Sequence, residues 1–275
     1  MTQIMNKKTT TLKSRLQNRQ TTIGSWITLG HPAIAEIMAS AGFDWLTVDM
    51  EHSAITLHQA QQLIQVIELS GCTPLVRVGE NDPNLIKRVM DAGSHGVIVP
   101  QVNSMRDAEN AVNSVKYPPA GTRGVGLARA QGYGTEFEAY KTWNDQESIV
   151  IVQIEHIDAV NDIDNILSVE GVDAFMIGPY DLSGSLGIPG QFSNPKFLAA
   201  MEKVNDAMVR IRNVAPGFHV VPPEVEILEA KIHEGYSFLA YSLDILFLGE
   251  NCRRDLKHAK KQHFHLPPYL KDLKQ

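Results

Sequence analysis

Short β-branched and apolar runs alternate along the chain with stretches whose apolar positions recur at helical spacing. Ile23–Leu29, Trp45–Met50, Thr73–Val78 and Gly96–Val99 read as strands, as do Ser148–Ile154, Asp173–Ile177, Phe218–Val221 and Phe238–Ser242. Ser148–Ile154 and Asp173–Ile177 are continuously apolar over most of their length, as strands covered on both faces are. Between them, Pro32–Ala41 predicts a helix that ends at Gly42. Thr56 with Gln59 has capping-box spacing ahead of Ala60, Leu63, Ile64 and Ile67, and Gly71 stops that helix. Asp82 caps a helix with Pro83 at its first position, and Gly93 closes it. Further helices are predicted over Ser104–Lys116 and Glu224–Glu234.

Strict alternation of strand and helix implies a parallel sheet. The first strand is followed by no GxGxxG turn, which counts against a dinucleotide-binding fold. The expectation is an α/β protein, a single (β/α)8 TIM barrel. Its 275 residues suit that choice, since such barrels run to roughly 250. The division expected is an N-terminal extension over 1–22, the catalytic barrel over 23–263 and a tail over 264–275. Tyr117–Glu147, rich in Gly and Pro, reads as one long loop with a functional or interface role.

Composition narrows the function classes. A formal charge of −6 disfavours a nucleic-acid partner. Cys72 and Cys252 are too few for a disulfide scaffold. The basic start of the chain is followed by no apolar run, and no stretch is long enough to span a bilayer. A cytoplasmic protein without a membrane partner is expected.

In barrels of this kind the chemistry sits at the C-terminal ends of the strands. Polar residues at those ends are therefore the candidates. Strand two delivers Asp49, Glu51 and His52; strand three, Arg77; strand five, Gln153 and Glu155; strand six, Gly178, Pro179, Tyr180 and Asp181. Glu155 and Asp181 are hard oxygen donors on adjacent strands, with no Cys or His cluster nearby. They suit Mg²⁺ or Mn²⁺, with Co²⁺ as a third choice, better than Zn²⁺. A 2-oxo acid could complete such a shell with its keto and carboxylate oxygens. His52 is of the residue type most often used as a proton shuttle, and Asp49 or Glu51 could orient it. Arg77 can hold a carboxylate or enolate oxygen in fork geometry. His31, in Gly-His-Pro, reads as a turn residue. No predicted strand ends in Lys, which counts against a Schiff-base aldolase.

Four motifs occur in order: Gly42-Phe-Asp-Trp-Leu-Thr-Val-Asp-Met-Glu-His52, Tyr117-Pro-Pro-Ala-Gly-Thr-Arg-Gly-Val-Gly126, Gln153-Ile-Glu155 and Ile177-Gly-Pro-Tyr-Asp-Leu-Ser183. Together they resemble the HpcH/HpaI aldolases, the metal-dependent class II pyruvate aldolases, from about Ile23 to about Leu248. The resemblance implies reversible cleavage of a 4-hydroxy-2-oxo acid, such as a 2-keto-3-deoxy sugar acid or 4-hydroxy-2-oxoheptanedioate, to pyruvate and an aldehyde. By motif, Glu155 and Asp181 match the family's metal ligands, His52 its base, Arg77 its enolate-stabilising group and Gln153 a pyruvate contact. Backbone amides around Gly178–Asp181 would receive the carboxylate.

The family also implies an acidic partner for the base at Asp91. Asp91 lies at the end of a helix returning to the opposite face of the barrel, so it would have to act from a neighbouring subunit. A homo-oligomer, trimer or hexamer, is the corresponding expectation, as is an exchanged C-terminal helix. Tyr180, Ser53–Thr56 and the Gly217–Pro223 segment depart from the better-known members, and His219 is a candidate to face the site. Rival readings are an oxaloacetate decarboxylase, a citryl-CoA-type lyase and a non-catalytic keto-acid sensor.

Overall fold

A computed structural model describes residues 10–262. The eight strands close on themselves in sequence order: β1 (Thr22–Ile27), β2 (Trp45–Asp49), β3 (Thr73–Arg77), β4 (Gly96–Val99), β5 (Ile149–Ile154), β6 (Ala174–Ile177), β7 (Ala215–Val220) and β8 (Phe238–Leu243). Every neighbouring pair is parallel, and β1 pairs with β8. The (β/α)8 barrel expected from the alternation is the observed fold.

The helices start where the sequence signals them. Thr56 and Gln59 complete a reciprocal capping box at the helix Leu57–Leu69, and Asp82 caps Leu85 N ahead of Pro83–Asp91. His31 caps the helix Pro32–Ser40 through Nδ1, a structural role. Among the described residues no helix is long and apolar enough to cross a membrane.

Two apolar layers result from the period of two along each strand. Outward residues such as Leu46, Val48, Val76 and Val152 join the belt between sheet and helices. Inward residues Trp26, Trp45, Leu75, Ile151, Met176 and Phe238 fill the barrel itself. Trp45 stacks on Phe238 with ring centroids 4.3 Å apart. Gly24 is what admits that indole, since a Cβ there would meet the Trp45 ring at 2.0 Å.

The floor is sealed by a segment with no strand pattern. The helix Leu12–Gln17 sends Leu12 and Leu16 into the interior cluster. Burying a leucine of this kind contributes roughly 1.5–3 kcal/mol. Lys13 pairs with Asp173 at 2.8 Å and also donates to the Ser148 carbonyl, while Arg15 binds Asp44.

The segment 117–147 is not one structureless loop. A 3-10 turn spans Arg129–Gly134 and an α-helix spans Phe137–Glu147. Tyr140 and Asn144, one turn apart, bury their side chains, and Asn144 bonds both Tyr117 N and the Val115 carbonyl. The Gly and Pro that suggested a loop are concentrated in its first part, 118–126. Beyond β8 the helix Asp244–Gln262 leaves the barrel with Leu248 and Leu256 exposed. The tail expected over 264–275 lies outside the described residues.

Candidate active site at the barrel mouth

The alternation that buries Trp45 and Thr47 puts Asp49 on the inner face at the end of β2. The same step from Leu75 places Arg77, and the step from Ile149 through Ile151 places Gln153. Asp49 and Arg77 are register partners. Arg77 Nε and Nη2 donate to the two Asp49 oxygens at 2.9 and 2.6 Å, a bidentate fork. The guanidinium also lies over Trp26, 4.3 Å from the ring centroid. Burial alone would raise the Asp49 carboxyl. Arg77 and the amides of Glu51 and His52 outweigh burial and hold it below its ordinary range.

Arg77 Nη1 faces Glu51 at 3.3 Å, without hydrogen-bond alignment to the buried Oε2. Burial pushes Glu51 up to about 7; Arg77 opposes that shift, and Asp49 and Asp181 add to it. His52 Nε2 stands 3.8 Å from Glu51, at the exposed rim.

Glu155, just beyond β5, is 3% exposed. Its Oε1 accepts from both the backbone N and the amide of Gln101, at 2.8 and 3.1 Å. Its Oε2 accepts from Gln153 at 2.6 Å. Even so, burial lifts Glu155 to about 7, with Glu51 and Asp181 raising it further against the pull of Gln101 and Arg77. Hydrogen bonds fix where this carboxylate points without neutralising it.

Gly178 brings Glu155 and Asp181 to one place. A Cβ on Gly178 would stand 3.0 Å from Glu155 Oε2 and 3.7 Å from Asp181 Oδ2. The missing side chain leaves a small cradle bounded by two carboxylates. Among the described residues no three His, Cys, Asp or Glu side chains form a metal-binding group. A cation at the cradle would therefore draw on two protein carboxylates, a number Mg²⁺ commonly takes. The donor set fits a hard divalent cation: all oxygen, one carboxylate buried and the other exposed, and short of positive charge.

A model of the HpcH/HpaI aldolase/citrate lyase family matches residues 22–248. The chain belongs to this family. It is 36% identical over 234 residues to a 2-dehydro-3,6-dideoxy-6-sulfogluconate aldolase of Pseudomonas putida, covering 85% of this chain and 90% of that one. It is 36% identical over 243 residues to a hydroxypyruvate/pyruvate aldolase of Pseudomonas aeruginosa, covering 88% of this chain and 89% of the other. Among solved structures it resembles an HpcH/HpaI aldolase/citrate lyase family protein from Burkholderia cenocepacia. That match has a TM-score of 0.85, 32% identity, and coverage of 90% of this chain and 98% of that one.

Within this member of the family, nine of the ten candidate residues gather at the mouth; Asp91 is the exception. Asp49, His52 and Arg77 form one side, Gln153, Glu155 and the Gly178–Asp181 turn the other. Asp91 instead ends the helix Pro83–Asp91. It accepts from Arg123 Nη2 at 2.5 Å and from Gln131 at 3.2 Å. Tyr180 lies half-exposed at the rim, edge-on to Phe192 with centroids 5.0 Å apart.

Two site residues, Gln101 and Trp26, lie outside the strand-end candidates, and one candidate, Glu51, has a second role. Gln101 follows β4 and takes φ +53, a left-handed conformation that aims both its amides at Glu155. Its sequence signal was available, a polar residue just past Val99–Pro100. Glu51 was noted only as an orienting group for His52, although burial gives it a charge problem of its own. Trp26 reads as core and is core, yet it also carries Arg77.

Proposed function

We propose that this protein is a divalent-metal-dependent aldolase that reversibly cleaves a 4-hydroxy-2-oxo acid into a pyruvate-type keto acid and an aldehyde. One observation carries the reading. Four carboxylates gather around one guanidinium: Arg77 pairs with Asp49 and faces Glu51, Asp181 adds its charge to those of Glu51 and Glu155, and burial pushes both glutamates up to about 7. Such a site is built for a cation and an anionic substrate together. Its relatives are named as aldolases of 2-oxo acids, among them a 4-hydroxy-2-oxovalerate aldolase and a 4-hydroxy-2-oxo-heptane-1,7-dioate aldolase.

Glu155 and Asp181 would hold Mg²⁺ or Mn²⁺. The cation supplies Lewis-acid stabilisation of the enolate charge. Gln101 and Gln153 fix the Glu155 oxygens in advance. Asp49 locks Arg77 through Nε and Nη2, which leaves Nη1 to meet the oxygen on which charge develops. The turn that starts Pro179–Ser185 has no side-chain cap, and its first amides are the partners for the substrate carboxylate. His52 takes the proton of the C4 hydroxyl. The C3–C4 bond then breaks, its electron pair enters the enolate, and the C4 oxygen becomes the aldehyde carbonyl. A proton delivered to C3 completes the keto acid.

Asp91 would serve the His52 of a neighbouring subunit in a trimer or hexamer. The exposed Leu248 and Leu256 of the last helix would pack on that neighbour. A cytoplasmic setting suits an enzyme of small keto acids and aldehydes. The test is a panel of aldehydes incubated with pyruvate or hydroxypyruvate and Mg²⁺ or Mn²⁺, with products read by mass spectrometry. Condensation products that vanish with a chelator are expected. Activity that survives chelation, or no product from any pair, would overturn the proposal.

A further inference from the structure

Three residues that line one cleft carry an unpartnered buried polar atom: Trp26 Nε1, which is a donor, and two others. Gln153 Oε1 and His219 Nε2 are both shielded from solvent and unbonded. Their residues line the same narrow slot beside Arg77 and Asp181, a cleft of about 50 Å³. Buried polar atoms are rarely left in that condition without a reason.

Both atoms are acceptors. The Gln153 amide nitrogen is committed to Glu155 at 2.6 Å, and its Oε1 can only accept. His219 stands on β7 with its ring 5.3 Å from that of Trp26, the indole that carries Arg77. The imidazole also bonds the backbone of Ser242, and that bond favours the protonated ring, as donation to a carbonyl does. The Ser242 carbonyl, which also accepts from Ser25 Oγ at 3.2 Å, lies where the β1–β8 register shifts between Gly24 and Trp26, and Ser242 takes φ +51. Since Nε2 is the unbonded nitrogen, Nδ1 is the donor, and Nε2 of a neutral ring is left as an acceptor. Burial, with Arg77 close by, pushes this imidazole down to about 3, so the ring is neutral under ordinary conditions. The pyruvate methyl group offers these atoms nothing. A hydroxyl group would serve them.

We propose that His219 is a specificity residue whose Nε2, together with Gln153 Oε1, accepts a hydrogen bond from a hydroxyl on the keto-acid half of the substrate. The site then favours a 3-hydroxy-2-oxo acid over pyruvate as the nucleophile. The placement follows from Gln153, which is tied to the carboxylate where the 2-oxo acid binds, whereas Tyr180 and His52 stand at the exposed rim where an aldehyde enters. This inference rests on the aldolase reading above and goes beyond it by assigning the donor to a residue of this chain.

The test compares hydroxypyruvate with pyruvate against one acceptor without a hydroxyl, benzaldehyde, in the full-length protein with Mn²⁺. His219→Phe keeps a ring on Trp26 and removes the acceptor; His219→Gln restores one. The ratio of kcat/KM for hydroxypyruvate over pyruvate should fall roughly ten- to hundredfold in His219→Phe and recover in part in His219→Gln. Binding read by tryptophan fluorescence should shift in parallel, with hydroxypyruvate losing affinity relative to pyruvate. A ratio unchanged in His219→Phe while aldol turnover persists overturns this inference and leaves the aldolase reading standing. So does a preference that follows the hydroxyl of the acceptor when glycolaldehyde replaces benzaldehyde. Hydroxypyruvate binding that depends on His219 in a protein with no aldol turnover overturns the aldolase reading instead.

Discussion

The two ends of this barrel handle buried charge in opposite ways. At the floor, Asp173 meets Lys13 at 2.8 Å and also accepts from Val150 N. Lys116 donates to the carbonyls of Asn144 and Asp145, and Arg15 closes on Asp44. Each of these side chains is bonded within the same chain, although burial still lowers Lys116 to about 8 and raises Asp173. At the mouth, Arg77 pairs with Asp49 and faces Glu51, Glu155 is bonded only by neutral amides, and burial drives both Glu51 and Glu155 up to about 7. Burial is common to both ends and therefore identifies no site. What differs is whether the protein itself completes the electrostatics. In this sense the floor is the closed end, its carboxylate matched by Lys13, and the mouth, with carboxylates in surplus over Arg77, is the open one.

The largest effect should come from removing a ligand at the open end. Glu155→Gln keeps the size of the side chain while deleting the charge that would hold the cation. Loss of Lewis-acid stabilisation of several kcal/mol means that activity should drop on the order of a thousandfold or more. Calorimetric titration with Mn²⁺ should lose its heat as well. If turnover or cation binding stays near that of the parent protein, the mouth is not the open end described.

At the closed end the same kind of deletion should strike stability instead. Lys13→Met leaves Asp173 buried without its partner, which typically costs about 3–5 kcal/mol. Thermal melts should show it, with kcat unchanged at a temperature where the variant is folded. A fall in kcat without a fall in melting temperature would erase the distinction between the two ends. Arg77→Lys tests the single cation of the mouth. Lysine cannot reproduce the fork to Asp49 or the contact with Trp26. The expected loss is about a hundredfold in kcat, the scale of one lost charge-stabilising donor.

The difference between the ends also explains what could be read without a structure. Strand period and caps gave the barrel, because Leu46/Val48 against Trp45/Thr47 is a pattern any folded strand must satisfy. Strand ends gave Asp49, Arg77, Gln153 and Glu155 for the same reason. The floor helix was invisible, since Leu12 and Leu16 are two apolar residues in a basic stretch and their burial depends on where the barrel bottom happens to lie. Gln101 stands just past a strand end and is legible as a candidate, but its bonds to Glu155 depend on a left-handed backbone that no spacing encodes. Tyr117–Glu147 reads as a loop because the turn chemistry of its first part masks Tyr140 and Asn144 in its last.

The smallest effect, and the sharpest for the comparison, is on pH. A carboxyl raised to about 7 holds its proton below that value, and a cation binding at Glu155 must then displace it. The sign follows directly: affinity is full above pH 7 and weakens as pH falls through 7, by about tenfold per unit for one displaced proton. Mn²⁺ titrations at pH 6 and pH 8 should therefore differ by roughly tenfold, with proton release on binding at the lower pH. Buffers of different ionisation enthalpy would expose that proton in the measured heat. The closed end has no such exchange to make, because Asp173 already has Lys13 beside it. Lys13→Met should accordingly leave the pH dependence of Mn²⁺ binding as it was, while Glu51→Gln, which removes a neighbouring negative charge that raises Glu155, should move the midpoint to lower pH. Binding that is flat from pH 6 to pH 8 would mean that Glu155 is already ionised when the cation arrives, and the carboxylate surplus at the mouth would then be balanced by something other than a proton.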